Sequence, residues 1–356
     1  MYKQIRMNTN KQKAFLALVR AGFWEKDVEL QEYGTTDFDE IMRFAEEQNV
    51  VGLVTAGLGH VSNVKVPKEI LLQLIGRSLQ LGQRNEAMNL FIAEIVDKMR
   101  IAGINTLLVK GQGIAQCYER PLWRSSGDVD FLLSQDNYSK ARAFLLPLSS
   151  GNKNEERYSQ HLGMNIGEWY VEIHGSLRTG LAACVDKEVD DVQRDVFFGG
   201  NVRSWLNGKT TVFLPSPDND VFFVFTHFIK HFYKEGMTLR QICDWCRLLW
   251  TFRDKIDVEL LEKRLKRAGL MGEWRGFASL AVDYLGMPVE AMPFYDEQNK
   301  DKGTQLIDFI LKGYSGNKVK DTWGIAKIFP WKTFCYLPSI FLNVNWLKVK
   351  ERVFAR

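Results

Sequence analysis

No uncharged apolar run of about 18 residues occurs in the 356-residue chain, so no membrane-spanning helix is expected. Behind Met1 come Lys3, Arg6, Lys11 and Lys13 with no apolar stretch between them, so no secretory signal is expected either. Cysteine is scarce and odd in number. Cys117, Cys184, Cys243, Cys246 and Cys335 show no framework spacing, which points to reduced thiols and a cytoplasmic location. A strong charge of one sign is missing too: the net charge is +4 and the pI about 8.6. That balance suits a small polyanion and falls short of a nucleic-acid-binding signature. Internal repeats and low-complexity segments are also lacking, which excludes solenoids and disordered linkers.

What is there reads as a soluble globular protein, 46% hydrophobic and 25% charged. Aromatics at 12%, ten Trp among them, fit a well-filled core, and a stacking surface for a ring-bearing ligand is the second reading. The first hundred residues carry helical signals. Asp37 with Glu40 has capping-box spacing, and Met42, Phe44 and Ala45 begin the apolar pattern behind it. Pro67 opens a long pattern through Leu71, Leu74, Ile75, Leu79, Met88, Phe91, Ile92, Ile95 and Met99, which Gly103 ends.

The texture then changes. Short apolar runs at 106–109 and 129–133 predict buried strands, and 158–166 and 168–174 predict two more around a turn at Gly167. Helices are expected at 111–118 and 137–146, giving a βαβαββ order. From Asp218 the apolar spacing is helical again, first through Phe222, Phe225, Phe228, Ile229 and Phe232, then through Leu239, Ile242, Cys243, Cys246 and Leu249. The fold class expected is therefore α+β, a small mixed β-sheet core flanked by helical regions. Three units are drawn: an N-terminal helical region (1–102), an α/β core (103–215) and a C-terminal helical domain (216–356). The segment 331–356 is aromatic and ends in Lys348, Lys350, Arg352 and Arg356. Packing back on the domain is the favoured reading for it, and contact with a membrane surface is the other.

The chemistry concentrates in the middle unit. Asp128 and Asp130 sit two apart at the front of a predicted strand, so both project from one face. Two carboxylates that close repel unless a cation lies between them, and hard oxygens select Mg²⁺ or Mn²⁺. An Asp-x-Asp pair alone is weak evidence, and its context matters. Upstream, an apolar strand runs into Lys110-Gly111-Gln112-Gly113, where glycines at a strand-to-helix turn let backbone N–H groups approach phosphates. Lys110 adds a point charge, and Arg124 lies close enough in sequence to reach phosphate or to balance the carboxylates. Taken singly, an ordinary turn with a surface lysine is the favoured reading of the Lys110-Gly111-Gln112-Gly113 segment, and a plain surface arginine explains Arg124 equally well. In Tyr170-Val171-Glu172-Ile173-His174 the residues Val171 and Ile173 point one way and Tyr170, Glu172 and His174 the other. Glu172 would then complete a three-carboxylate clamp for two metals, the alternative being a solvent residue on an edge strand.

The run LLVKGQGIAQCYERPLWRSSGDVDFLL followed by YVEIHGSL resembles the nucleotidyltransferases of the DNA polymerase β superfamily. The resemblance is nearest to a bacterial branch often encoded beside surface-polysaccharide genes, and more distant to AbiEii-type toxins. The later run NDVFFVFTHFIKHFYKEGMTLRQICDWCRLL is similar to that branch's helical half, with its paired-His helix and Arg-x-x-x-Asp helix, so the likeness covers about 103–249. It implies that Asp128 and Asp130 bind the metals, that Glu172 completes the triad, and that Lys110 and Gly111 hold a nucleoside triphosphate, ATP being favoured. The sequence departs from the superfamily's Gly-Ser or Gly-Gly-Thr loop, with Gln112 and Gly113 in that place.

Outside this centre, His227 and His231 have a spacing that can bind Zn²⁺, without the Glu of an HExxH motif. Arg240 and Asp244 are spaced for a helix ion pair, and Asp244 or a histidine is a candidate base for an acceptor hydroxyl. Cys243 and Cys246 fall on an apolar helix stripe and read as core. The reaction expected is metal-dependent transfer of a nucleoside monophosphate to an acceptor hydroxyl. Two competitors are weighed: an Asp-x-Asp glycosyltransferase, which the helices filling the space ahead of the motif argue against, and a non-catalytic nucleotide-binding protein, which retention of three carboxylates argues against.

Overall fold

The computed structural model describes residues 9–156 and 160–341. The expected strand start at 158 and 159, and the basic end of the C-terminal segment, lie outside the described residues. The fold is α+β, as the sequence implied.

Among the described residues four α-helices precede the sheet: α1 (Asn10–Trp24), α2 (Phe38–Glu47), α3 (Val51–Leu58) and α4 (Lys68–Ile101). Asp37 caps α2, its side chain accepting from the Glu40 N–H as the spacing required. Pro67 opens α4, Lys98 and Arg100 sit in its last turn where a cation favours the helix dipole, and Gly103 follows with φ +71°. At 34 residues α4 is about 51 Å long, and its two halves serve different cores. Leu74 packs with the helical cluster, whereas Met88, Ile92, Ile95, Val96 and Met99 pack under the sheet.

The sheet is built from β1 (Leu107–Val109), α5 (Gly111–Ala115), β2 (Asp128–Leu132), α6 (Gln135–Leu145), β3 (Ser150–Glu156), β4 (His161–Ile166) and β5 (Trp169–His174). Its strand order is β1-β2-β5-β4-β3, with β2 and β5 parallel and the other neighbours antiparallel. One strand departs from the βαβαββ expectation. The edge strand β3 comes from Ser-Gly-Asn-Lys-Asn-Glu-Glu, which carries no apolar alternation, and it pairs with β4 through its backbone with a register shift.

Beyond the sheet lie α7 (Ala183–Phe198) and a hairpin of β6 (Val202–Asn207) and β7 (Thr210–Pro215), also absent from the sequence expectation. Among the described residues seven α-helices follow: α8 (Pro217–Lys234), α9 (Leu239–Phe252), α10 (Val258–Ala268), α11 (Met271–Leu285), α12 (Lys300–Lys312), α13 (Lys318–Ile328) and α14 (Pro330–Phe341). Aromatic rings join several of them, Phe225 lying 4.7 Å from Trp274 and Phe228 5.0 Å from Phe277. Cys243 and Cys246 are buried in this cluster, as their apolar stripe suggested. Within the described part of the C-terminal segment, α14 buries Tyr336 and Ile340 against the helices. No described helix is long and apolar enough to cross a membrane.

Strand alternation sorts the side chains of the sheet. Val129, Phe131, Leu162, Met164, Val171 and Ile173 enter one core with α4 and with Tyr138, Ala141 and Leu145 of α6. Asp128, Asp130, His161, Glu172 and His174 therefore share the opposite face. There Leu107, Val109 and Leu132 belong to the helical cluster that includes α8 and α9. The polar residues thus stand at the edge of a covered face, between the sheet and the helical part of the molecule.

Candidate active site

Register brings the three carboxylates together. Asp130 on β2 lies directly beside Glu172 on parallel β5, and Asp128 is one pleat away on the same face. One oxygen from each of Asp128, Asp130 and Glu172 falls within 4.8 Å of the others. Asp130 is only 1% exposed, and its Oδ2 has no hydrogen-bond partner among the described residues. Such an orphaned buried oxygen is costly unless a ligand or cation meets it.

The second oxygen, Asp130 Oδ1, is crowded with donors. Lys110 Nζ lies 2.8 Å from it and His174 Nε2 also 2.8 Å. These charges set the titration of the cluster. The charge of Asp130, and then burial, push the Asp128 carboxyl above the usual range. Burial alone would raise Asp130 as well, but Lys110 and His174 outweigh it and hold that carboxyl down. Glu172 likewise resists burial because the His161 and His174 imidazoles stand against it, and its carboxyl is held well below the carboxylate range. The centre therefore already balances cations against anions through its own side chains.

Lys110 reaches this position from a strained backbone. Its φ of 60° and ψ of −150° lie in a region that is essentially glycine's, and Gly111 follows with φ +48°. Of order 1–3 kcal/mol is stored in such a residue, and strain of that kind gathers at functional sites. From this turn between β1 and α5 the ammonium reaches Asp130 on β2. On its far side Lys110 Nζ lies 3.4 Å from His227 Nε2, which in turn is 3.0 Å from His231 Nε2. Burial, then Lys110 and His231, hold the His227 imidazole well below its ordinary value, so it is neutral at pH 7. His231 Nδ1 continues the line to Glu235 at 2.9 Å.

The rest of the expected phosphate turn is turned inward. Gln112 is buried, and its Nε2 donates to Asn85 Oδ1 at 2.9 Å. Asn85 in turn donates to the carbonyls of Leu122 and Arg124, fixing the chain just ahead of β2. Gly113 packs against β7: a Cβ there would stand 2.4 Å from Leu214 Cδ2. Gly111 alone of the three leaves ordinary room, a Cβ meeting only the Asp128 carbonyl at 3.6 Å.

Arg124 and Asp244 meet as a buried bidentate pair. Arg124 Nε donates to Asp244 Oδ1 at 2.8 Å and Nη2 to Oδ2 at 2.7 Å, and Tyr118 Oη donates to Oδ1 at 2.8 Å. Both oxygens of Asp244 are thus engaged with α5's flank and the β2 approach. The helix ion pair suggested by the spacing of Arg240 and Asp244 is replaced by this longer-range one. Thr238 and Gln241 cap α9 reciprocally and set its start, from which Arg240 points toward the same region. Arg240 Nη1 donates to the Ser125 carbonyl at 3.1 Å, while its buried Nε has no partner among the described residues. Burial and the neighbouring Arg124 lower its basicity, and Asp244 and Asp128 oppose them. Among the described residues, three outside the expected catalytic and phosphate-binding set border the carboxylates: Arg240, His174, which bonds Asp130, and His161, whose ring stacks on His174 with centroids 4.6 Å apart.

Residues 34–286 match a family described as uncharacterised nucleotidyltransferase. No curated protein matches the chain. Among solved structures, an antigenic nucleotidyltransferase-like protein from Paracoccidioides brasiliensis is similar at 11% identity with a TM-score of 0.34. That likeness covers 56% of this chain and 93% of the other.

Proposed function

The chain belongs to this nucleotidyltransferase family, and from that premise we propose that it moves a nucleoside monophosphate from a nucleoside triphosphate, ATP being favoured, to a hydroxyl of an acceptor. Divalent Mg²⁺ or Mn²⁺ would be held by Asp128, Asp130 and Glu172. The observation that carries the metal reading is the orphaned Asp130 Oδ2, buried beside two further carboxylates within 4.8 Å. Three converging hard oxygen donors, beside a buried oxygen with no hydrogen-bond partner among the described residues, fit a divalent ion. When bound, such ions stabilise charge on the triphosphate and lower the pKa of an attacking hydroxyl.

The chain's own residues supply the positioning, which is most of catalysis in phosphoryl chemistry. Lys110 keeps Asp130 ionised and presents an ammonium beside the cluster, and Gly111 lets the backbone approach there. Arg240 has a buried N–H without a partner among the described residues and is the better phosphate donor. Arg124 is engaged by Asp244 through Nε and Nη2 and by the Ser125 carbonyl through Nη1, which supports a positioning role for that pair in holding the approach to β2. Gln112 and Gly113, oriented toward α4 and β7, support a role in fixing the turn rather than in touching phosphate. The family match favours nucleotidyl transfer over the glycosyltransferase reading of the Asp-x-Asp pair.

The test follows the phosphorus. Triphosphates labelled at either the α- or the γ-phosphorus are supplied with Mg²⁺ or Mn²⁺ and a cell extract as acceptor source. Label from the α-position is expected on the acceptor, with the γ-label leaving in pyrophosphate. Capture of the γ-label by the acceptor would overturn the proposal in favour of a kinase.

A further inference from the structure

We propose that His161, His174 and Glu172 form a second cation seat beside the carboxylate cluster, one that takes Zn²⁺ or a similar borderline transition ion in preference to Mg²⁺. The sheet builds it directly. β4 and β5 run antiparallel around the tight turn at Gly167 and Glu168, and their register sets His161 opposite His174. Glu172 precedes His174 by one full pleat, so all three project from the same face. Opposite Glu172 stands Gly163, where a Cβ would fall 2.1 Å from Tyr170 Oη. No side chain at that position can therefore come between the carboxylate and the two rings.

The donor atoms converge as ligands do. His161 Nε2 lies 3.2 Å and His174 Nε2 3.4 Å from the same Glu172 Oε2, and all three donors fall within 4.8 Å. Two donors each 2.0–2.1 Å from zinc across a tetrahedral angle stand roughly 3.3 Å apart, so the spacing needs little adjustment. The independent sign is His161 Nε2 itself, which is shielded from solvent and has no hydrogen-bond partner among the described residues. A buried ring nitrogen aimed at a carboxylate without bonding to it is an unmet demand, and a cation between the two meets it. The near-parallel stacking of the rings, 16° between planes, holds both nitrogens toward one point. Each ligand retains between 15% and 22% of its side-chain surface, so the seat keeps an open side.

Donor chemistry separates the two seats. Asp128, Asp130 and Glu172 offer oxygen only, which suits Mg²⁺ and Mn²⁺, whereas two imidazoles and one carboxylate suit Zn²⁺. They lie on either side of Glu172 in the strand order, the oxygen seat toward β2 and the imidazole seat toward β4. Glu172 is common to both and can bridge them. Occupation of the second seat turns the Nε2 lone pair of His174 to the cation and leaves Asp130 Oδ1 to Lys110. The inference concerns binding and does not require that nucleotidyl transfer be the reaction.

The experiment uses the full chain, stripped with chelator and supplied with excess Mg²⁺ to fill the oxygen seat. Zn²⁺ is then titrated against a chromophoric chelator, and Co²⁺ is added in parallel for its visible absorption. One Zn²⁺ per chain is expected, with a Co²⁺ band of four- or five-coordinate intensity. His161→Ala and His161→Gln should weaken Zn²⁺ binding by more than the roughly 10–100-fold that loss of an outer-sphere partner costs. Asp128→Asn should leave Zn²⁺ binding in place. A weak octahedral Co²⁺ spectrum from the unsubstituted protein would overturn the proposal without reliance on any variant. So would Zn²⁺ affinity that falls with Asp128→Asn and survives loss of His161. Transfer activity is not the readout, so failure of this seat and failure of the transfer proposal are separate results.

Discussion

Asp244 offers the sharpest test of which residues act and which support. Its carboxylate lies against Arg124 in a pair whose side chains are 7% and 3% exposed, bonded twice at 2.8 and 2.7 Å. Asp244→Asn removes the counter-charge and leaves a guanidinium buried beside Arg240, which is itself short of partners. Breaking a buried ion pair from one side costs about 3–5 kcal/mol. A chain of 356 residues has an unfolding entropy of roughly 0.75 kcal/mol per kelvin, so the melting midpoint should fall by about 4–7 °C. Removing both charges is a different perturbation, because apolar replacement of a whole buried pair is often neutral. Arg124→Met with Asp244→Leu should therefore recover most of the loss, giving a coupling of opposite sign to the single effects. Scanning calorimetry on the four proteins measures this. A double variant as damaged as the sum of the singles would refute the pair as the reason Asp244 is buried. An Asp244→Asn protein that melts normally yet is inactive would instead return Asp244 to the role of a base.

Other expectations follow from the packing and the charges. Gly113→Ala should destabilise by about 1–3 kcal/mol as its Cβ meets Leu214, and the same substitution made in a Leu214→Ala background should cost little further, as melting of the four proteins would show. Glu273 is fully buried, its Oε2 has no hydrogen-bond partner among the described residues, and burial raises its carboxyl above 4.5. Because the folded state then binds the proton more tightly, its contribution to stability is present below about pH 4.5 and is lost as pH rises through the folded value. Glu273→Gln should therefore melt higher than the parent at pH 8, with the gap closing toward pH 4.5. Equal melting of the two proteins across that range would contradict this.

Much of the centre was legible from spacing alone. Asp128 and Asp130 had to share a face because strands have a period of two, and Glu172 between Val171 and Ile173 had to leave the core. α4 announced itself through Pro67, a sustained apolar pattern and Gly103. β3 did not, because an edge strand can be held by backbone pairing while its polar sequence looks like a loop. The helix α7 carries a signal of its own: Val185, Val189, Val192 and Val196 recur at helical spacing and are buried. His161 was findable as well. Counting outward from the turn at Gly167 and Glu168 pairs Ile166 with Trp169 and, further along, His161 with His174. The partners of Arg124 and Gln112 were not findable. Asp244 lies 120 positions from Arg124 in the chain, and Asn85 lies 27 from Gln112. Such contacts depend on how α4, α5 and α9 pack, and no local pattern encodes that.

The role of the carboxylate cluster meets its most direct test in Asp128→Asn. Repulsion from Asp130 raises the Asp128 carboxyl, so removing that charge relieves the resting protein while it removes one of the ligands proposed for the cation. Melting and pyrophosphate release are measured on the same preparations with Mg²⁺, a nucleoside triphosphate and acceptor. The expected result is a midpoint at or above that of the parent, with the rate lower by roughly 10²–10³-fold. A variant that released pyrophosphate at the parent rate would contradict the assignment of this cluster as the centre of nucleotidyl transfer.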